Sequence, residues 1–386
     1  AFRQNPDLFY LSGLDQERVS LIIYPDCPNP LYREALFVRR TSELIEIWEG
    51  HKYTIQEARD ASGIQNVYWE DEMEAVLPAL MAYCENVYVN INENDRSALQ
   101  VPYKDIRFAN RLKHDFPAHQ LLRLGPIMQY LRSVKEPEEI ALSRKACEIT
   151  RDAFIRVLKF VKPGVGEFEI EAEIIHEFTR QRGTGHAYAP IIAAGKNACI
   201  LHYGENNNIV QAGDLILMDF GVEYANYAAD LSRTIPVSGK FSPRQKEVYN
   251  ACLRIQKAGI ELFNTSLSLI EYNAEIGKIT ESELIQLGLL DKIAVKNQNP
   301  NAPLYKKYFM HGAGHFLGID VHDVGPRYEK IQYGNLFTIE PGIYIPAENI
   351  GIRIEDNIHV TPEGNVNLMH DIPVTVEEIE DIMLGS

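Results

Sequence analysis

The sequence predicts a two-domain protein of mixed helix and strand, with a smaller α/β domain over residues 1–133 ahead of a larger mixed domain over 134–386. Three observations predict it. A chain of 386 residues that is 45% hydrophobic exceeds one ordinary core and can bury two. The pattern changes near residue 133, where short strand-like runs give way to long amphipathic stretches. Beyond that point helical periodicity alternates with apolar runs of strand length.

Taken in order, VSLIIYP (19–25), EALFVRR (34–40) and NVYVNI (86–91) read as strands, and DEMEAVLPALMAYC (71–84) as a helix. This first domain holds no cluster of chemically active residues. After LRSVKEPEEI, Pro137 suits a first helical turn, where its missing N–H costs nothing, and Glu136, Glu138 and Glu139 complement the positive end of the helix dipole. Ile140, Ala146, Ile149, Ala153, Phe154, Val157 and Leu158 then recur at helical spacing. FEIEAEIIHEFTRQRG is a second amphipathic helix, stopped at Gly183. Further helices are expected at 243–263 and about 268–288, with strands near 187–195, 214–221 and 228–237 and again from 334 to 360. The closing VEEIEDIM reads as a solvated helix face. The chain shows no short repeat and no low-complexity segment.

Composition narrows the function classes. A formal net charge of −16 repels phosphate backbones, and no Lys/Arg cluster interleaved with aromatics overcomes it, which argues against nucleic acid as a partner. No apolar run approaches the roughly 20 residues that span a bilayer, so a soluble protein with no membrane partner is expected. Cys27, Cys84, Cys147, Cys199 and Cys252 are scattered without a CxxC pair, which argues against a disulfide framework or a thiolate zinc site and fits a cytoplasmic location.

The acids are the informative residues. LILMDFG (215–221) is apolar on both faces, as in a buried strand, yet it contains Asp219. A buried carboxylate is costly unless it is paired, hydrogen-bonded or metal-bound. Asp230 interrupts the next strand-like run, and a hairpin turning about Tyr224 and Ala225 would set the two acids opposite one another. The device recurs: Glu340 ends NLFTIE, Glu355 lies in IGIRIED, and a turn about Ala347 and Glu348 would oppose them. Between the hairpins, HGAGHFLGIDVHDVG carries His311, His315 and His322. Taken singly, each acid or histidine is better read as structural; two acid-bearing hairpins with HxxxH between them point to metal. Four carboxylates match the charge of two divalent ions, and a set of oxygens with one imidazole suits Mn²⁺, Co²⁺ or Zn²⁺. Other motifs fail: GAGHFLG is not GxGxxG, His176-Glu177 is followed by Arg180 where HExxH needs histidine, and no GxSxG elbow is present.

LHYGENN (201–207), GDLILMDFGVEYANYAADLSRTIPVSGKFSPRQKEVY (213–249), MHGAGHFLGIDVHDVG, FTIEPGIYI and IGIRIEDNIHVT together resemble the aminopeptidase P and prolidase branch of the pita-bread metallopeptidases. The likeness reaches FRQNPDLFYLSGLDQ at the amino end and so covers essentially the whole chain. It implies an α+β fold, a C-terminal pita-bread (creatinase/aminopeptidase-like) catalytic domain preceded by the smaller α/β domain. It also implies a dinuclear metal centre held by Asp219, Asp230, His315, Glu340 and Glu355, with Mn²⁺ the expected ion. His202, His311 and His322 match the histidines that flank the family's centre; His202 and His322 are expected to act in catalysis and His311 to contact substrate. Arg353, Tyr344 and Tyr188 match substrate-pocket positions. Independently, Arg353 lies two residues from Glu355, so an extended strand points both to one side.

The implied substrates are proline-containing peptides cleaved at an N-terminal Xaa-Pro bond. This amide is tertiary and lacks an N–H, so a dedicated site must hold the ring and polarise the carbonyl. Glu340 is the candidate for carrying a proton from the nucleophile to the leaving prolyl nitrogen, and His322 for stabilising the oxyanion. Xaa-Pro aminopeptidase is preferred, with Xaa-Pro dipeptidase (prolidase) as the alternative. A creatinase-like hydrolase or a metal-free peptide-binding module is more remote, because all five ligand positions keep their residue types. The resemblance further implies a homodimer or homotetramer and a first strand and helix ahead of FRQNPDLFY.

Overall fold

Most helix starts carry their caps in the sequence. Ser42, Thr54, Ser242, Ser268 and Thr375 each accept a hydrogen bond from the backbone N–H three residues on, which satisfies a donor that the first helical turn leaves unpaired. The computed structural model describes residues 2–91 and 103–385. By internal contacts the chain divides into Ala1–Leu131 and Arg132–Ser386.

The first unit runs through α1 (Pro6–Ser12), β1 (Ser20–Ile23), β2 (Glu34–Val38), α2 (Glu43–Glu49), α3 (Ile55–Ser62), β3 (Asn66–Trp69), α4 (Met73–Met81), β4 (Asn86–Val89), α5 (Lys104–Asp115) and β5 (Gln120–Arg123) into α6 (Gly125–Ser133), whose Arg132 and Ser133 belong to the second unit. β1 and β2 pair antiparallel, β3 joins β2 in parallel, and β4 pairs β5 in parallel. Leu14, Val19, Leu36, Val38, Ala58, Ile64 and Val67 form a core beneath the three-stranded sheet. β3 and β5 are not among the strands expected from the sequence.

The second unit opens with α7 (Pro137–Phe160) and α8 (Glu167–Arg180), followed by β6 (Gly185–His186), β7 (Ile191–Ala194), β8 (Leu215–Phe220), β9 (Val222–Tyr224), β10 (Tyr227–Ala228) and β11 (Leu231–Pro236). Its second half repeats the plan with α9 (Pro243–Leu262) and α10 (Leu269–Gln286), the short α11 (Lys292–Lys296), then β12 (Leu336–Ile339), β13 (Gly342–Ile345), β14 (Ile350–Arg353), β15 (Asp356–Thr361) and β16 (Gly364–Asn367), before α12 (Val376–Leu384). This is an α+β arrangement in which helices and sheets share one large apolar core, with Phe154, Ile174, Met218, Ile255, Ile276 and Ile352 among its members. No helix among the described residues is long and apolar enough to cross a membrane.

Two expectations change in detail. The strand expected near 187–195 is confined to β7, which begins directly after Pro190, a residue with no N–H to donate to a ladder. α12 is only partly solvated: Val376 and Ile379 are buried, and Glu380 accepts from Phe241 N at 2.9 Å and Lys246 Nζ at 3.0 Å.

Register decides where the acids meet. β8 pairs β11 with Asp219 opposite Ser232, and β9 pairs β10 with Tyr224 opposite Tyr227. The turn therefore centres on Ala225 and Asn226, both left-handed at φ 48° and 67°, one residue beyond the expected centre. Asp230 is consequently a diagonal neighbour of Asp219, not its direct partner. Moving the centre by one residue displaces each partner by two, so the pleat still turns both acids to one face. In the second hairpin Gly342 pairs Arg353, and Ile339 pairs Asp356 in the flanking ladder. Both registers place Glu340 opposite Glu355, as expected. The two hairpins touch where Ser232 bridges Glu355.

Gly221 lies where β8 passes into β9, and a Cβ there would come within 1.8 Å of the Ala229 carbonyl oxygen. Gly221→Ala is therefore expected to destabilise the protein by about 3 kcal/mol, read as a lower urea midpoint at unchanged slope; an unchanged midpoint would refute the close approach.

Candidate metal centre

Strand alternation sets the site's two sides. Along β8, Ile216, Met218 and Phe220 enter the main core. Leu217 faces the other way and packs with Ile191, Tyr203 and Tyr344. Asp219 shares the Leu217 face, so an acid in an apolar strand is turned toward the second hairpin and away from the core.

Five acids and bases converge there. Asp219 Oδ1 lies 2.6 Å and Asp230 Oδ1 2.5 Å from the Tyr188 hydroxyl. One phenolic proton can serve only one of them, so the other oxygen needs a further proton or a cation. Asp230 Oδ2 is 3.4 Å from His315 Nε2, and Glu340 Oε1 is 3.8 Å from the same nitrogen. His315 Nδ1 lies 2.9 Å from the Phe316 carbonyl, which holds a proton on Nδ1 and leaves the Nε2 lone pair facing the acids. Glu355 Oε2 accepts from Ser232 Oγ at 2.8 Å. Glu355 Oε1 is buried and has no hydrogen-bond partner among the described residues. One donor atom each from Asp230, His315 and Glu355 lie within 4.8 Å of one another.

The electrostatics make the same point. Burial, opposed by Arg353 and reinforced by Asp230, raises the Asp219 carboxyl above its usual range. Burial pushes Glu340 up to about 7 against the pull of His315 and Arg353. Burial, and then the charges of Asp230, Glu340 and Asp219, lift Glu355 well above the carboxylate range. Burial disfavours a charged His315, yet its contact with Asp230 and the charge of Glu340 raise its pKa. Proton-hungry carboxylates around an orphaned oxygen and an open imidazole nitrogen are what a divalent cation fits.

A second layer holds these groups. Arg353 donates to Ser232 Oγ at 2.8 Å, Tyr344 Oη at 2.8 Å and Asp219 Oδ2 at 2.5 Å. It thus reaches the same side as Glu355, as the spacing predicts. His311 Nδ1 lies 2.7 Å from the Gly312 carbonyl and Nε2 2.9 Å from the Tyr344 hydroxyl. Burial and the Arg353 charge push His311 down to about 3, so its ring is neutral, and its Nδ1 approaches Glu340 Oε2 at 3.6 Å. The His322 ring stands edge-on to His315 with centroids 4.4 Å apart. His202 differs: it is exposed, outside the ligand cluster, and near enough for its charge to act on His311.

Ser232, Asn357 and Thr338 are further parts of the site. Asn357 accepts from Asp230 N at 3.1 Å and donates to Asp230 O at 2.6 Å, clamping that residue's backbone. Thr338 Oγ1 accepts from His315 N at 3.2 Å. Ser232 and Asn357 each lie two residues beyond a ligand-type acid, so strand parity could have found them.

Comparison with known proteins agrees with this geometry. Residues 141–362 match the profile of metallopeptidase family M24, and residues 1–88 that of the aminopeptidase P N-terminal domain. The chain belongs to metallopeptidase family M24. Among curated M24 relatives, the Xaa-Pro aminopeptidase of Escherichia coli is 34% identical over 408 residues, covering 100% of this chain and 90% of the relative. That of Haemophilus influenzae is 33% identical over 396 residues, covering 99% and 88%. Zinc-substituted E. coli aminopeptidase P in complex with product superposes with a TM-score of 0.87 at 33% identity, covering 100% of this chain and 90% of that one. Pseudomonas aeruginosa aminopeptidase PepP gives 0.88 at 31% identity, with the same coverage. Membership in M24 implies divalent metal ions, and the acid cluster is where such ions would fit.

The raised carboxyls make metal binding and stability depend on pH. An ion must displace protons, so affinity is expected to fall as pH is lowered, roughly tenfold per pH unit for each proton displaced; a pH-independent calorimetric affinity would refute this. A carboxyl whose folded pKa exceeds its unfolded value contributes stability at low pH that is lost as pH rises toward the folded value. Between about pH 4 and pH 8, chelator-treated wild type should therefore lose on the order of 3 kcal/mol relative to Glu340→Gln, measured by urea unfolding.

Proposed function

We propose that this M24 protein is a metal-dependent Xaa-Pro aminopeptidase, releasing the first residue of peptides whose second residue is proline. One observation carries the reading: all five ligand-type side chains converge in a chain that aligns over 99–100% of its length with Xaa-Pro aminopeptidases, its N-terminal domain included. The same full-length likeness favours this reading over the dipeptidase.

In this reading Asp219, Asp230, His315, Glu340 and Glu355 hold two divalent ions. Binding of the ions supplies Lewis acidity for the scissile carbonyl and a water of lowered pKa. A donor set of four carboxylates and one imidazole favours Mn²⁺, with Co²⁺ and Zn²⁺ as substitutes. Glu340 is the proton carrier, since its carboxyl faces His311 and His315 and is already disposed to take a proton near neutral pH. His322, set against His315, faces the oxyanion, and the exposed His202 lies near enough to His311 for its charge to act there. Arg353 and Tyr344 orient Asp219 and His311, and Tyr188 lies between the two aspartates. Neutral His311 and buried Tyr344 offer a polar wall without charge to the leaving prolyl residue. We further propose that the protein works as a homodimer or homotetramer, which sedimentation checks; a monomer would refute it.

Hydrolysis of Ala-Pro-Ala beside Ala-Pro, with Mn²⁺ restored after chelation, tests the activity. Cleavage of the tripeptide at Ala-Pro is expected; cleavage of the dipeptide alone would make the protein a prolidase, and failure on both with metal bound would reject the substrate class. Glu340→Gln should lower kcat by roughly 10³-fold while tripeptide binding stays detectable, and retained turnover would remove Glu340 from the proton path.

A further inference from the structure

The loop that presents His322 is fastened from behind by an ion cluster outside the ligand set. Arg132 at the end of α6 and Lys135 just before α7 are only 2% and 6% exposed. Lys135 Nζ donates to Asp323 Oδ2 at 2.7 Å, and Arg132 Nη2 donates to Asp323 Oδ1 and, at 2.9 Å, to Asp320 Oδ2. Asp323 directly follows His322. Its carboxylate also accepts from Val324 N at 2.9 Å, and its own N–H donates to the Phe316 carbonyl at 2.9 Å, closing the loop. Gly318 permits the approach, since a Cβ there would lie 2.2 Å from Asp323 Oδ2 and 2.7 Å from Lys135 Nζ. The cations are themselves anchored: Val134 bridges Asn335, Lys135 N donates to Gly334 O at 2.8 Å, and Asn335 Nδ2 donates to Ser133 O at 2.8 Å.

Among the described contacts, two cations face two carboxylates. Burial opposes ionisation of Asp323, but Lys135 and Arg132 hold its carboxyl below the usual range. A desolvated ion cluster contributes little net stability compared with apolar packing of the same volume, yet each member demands its partners at fixed positions. Such a cluster holds Asp323, and with it the residue just before it, in one place.

We infer that Lys135 and Arg132 are positioning residues for His322: through the Asp323 carboxylate they set the place of the His322 ring against His315. This deepens the proposed function and rests on its placing of His322 at the reacting carbonyl. It makes Lys135, 187 residues away in sequence, part of what tunes turnover.

The test is a double-mutant cycle of Lys135→Met and His322→Ala on the metal-loaded enzyme with Ala-Pro-Ala. Lys135→Met is expected to lower kcat at least tenfold, to change KM by less than twofold and to leave bound metal unchanged, while Lys135→Arg recovers most of the loss. In the His322→Ala background Lys135→Met should cost less than twofold more, because the ring it positions is gone. A readout without turnover is the ¹H–¹⁵N spectrum of ¹⁵N-histidine protein loaded with Zn²⁺: Lys135→Met should move the His322 ring signals and leave those of His202 in place. Multiplicative losses in the cycle, or unmoved His322 signals, would overturn the inference. If Lys135→Met does not fold, Asp323→Asn takes its place in the same cycle; collapse of both would also overturn it, since the cluster would then hold up the domain and not one ring. Inactivity of wild type on the tripeptide counts against the proposed function, whereas multiplicative losses in an active enzyme count against this inference alone.

Discussion

Like charge gathered out of water is the constraint on which the second unit is organised. Asp219, Asp230, Glu340 and Glu355 meet with only Arg353 and His315 in direct opposition among the described contacts. A group of carboxylates in low dielectric either takes up protons or binds cations. The protein supplies one guanidinium, and that leaves an excess of negative charge which divalent ions would offset. A metallopeptidase needs this imbalance, because a fully compensated acid cluster would have no affinity for an ion.

Holding such a cluster together falls to the backbone ladders. Each acid sits in or beside a strand whose ladder fixes its direction, and the hairpins are pinned where Ser232 bridges Glu355. Arg233, fully buried, donates to the Glu355 carbonyl at 2.8 Å and to Asp356 Oδ1 at 2.6 Å. Asp356 Oδ2 in turn accepts from Gln256 and Asn367, both at 2.8 Å, so the face of the strand opposite Glu355 is tied to α9 and β16. Preorganisation of this kind lets a site bind ions and present a fixed surface to a tertiary amide, which offers no N–H by which to orient itself.

Legibility in the sequence varied with the range of the interaction. The helices α7, α9 and α10 were readable because propensity, caps and apolar period all lie within a few residues. The second hairpin was placed in register by counting from its acids, and the ladders on both sides of Glu340 and Glu355 keep that count. Counting from its acids centres the first hairpin one residue early, because Ala225 takes a left-handed conformation that glycine or asparagine normally signals. Its acids nevertheless share a face, since the error preserved pleat parity. Thr338 and the Arg132–Lys135–Asp323 cluster escape sequence reading, because nothing local marks a polar residue whose partner lies far along the chain.

The sequence by itself determined the long helices and most strands, the side of each strand on which the acids lie, and the family resemblance that singles out five ligand positions. These follow from periodicities of two and 3.6 residues and from motifs a dozen residues long, all of which are properties of neighbours. The tertiary structure alone decided that Glu355 Oε1 is left without a partner, that Arg353 is spent on Asp219, Ser232 and Tyr344, that His202 stays at the exposed edge, and that two cations ahead of α7 grip the loop of His322. Each depends on which distant atoms share a low-dielectric space, and that is set by packing.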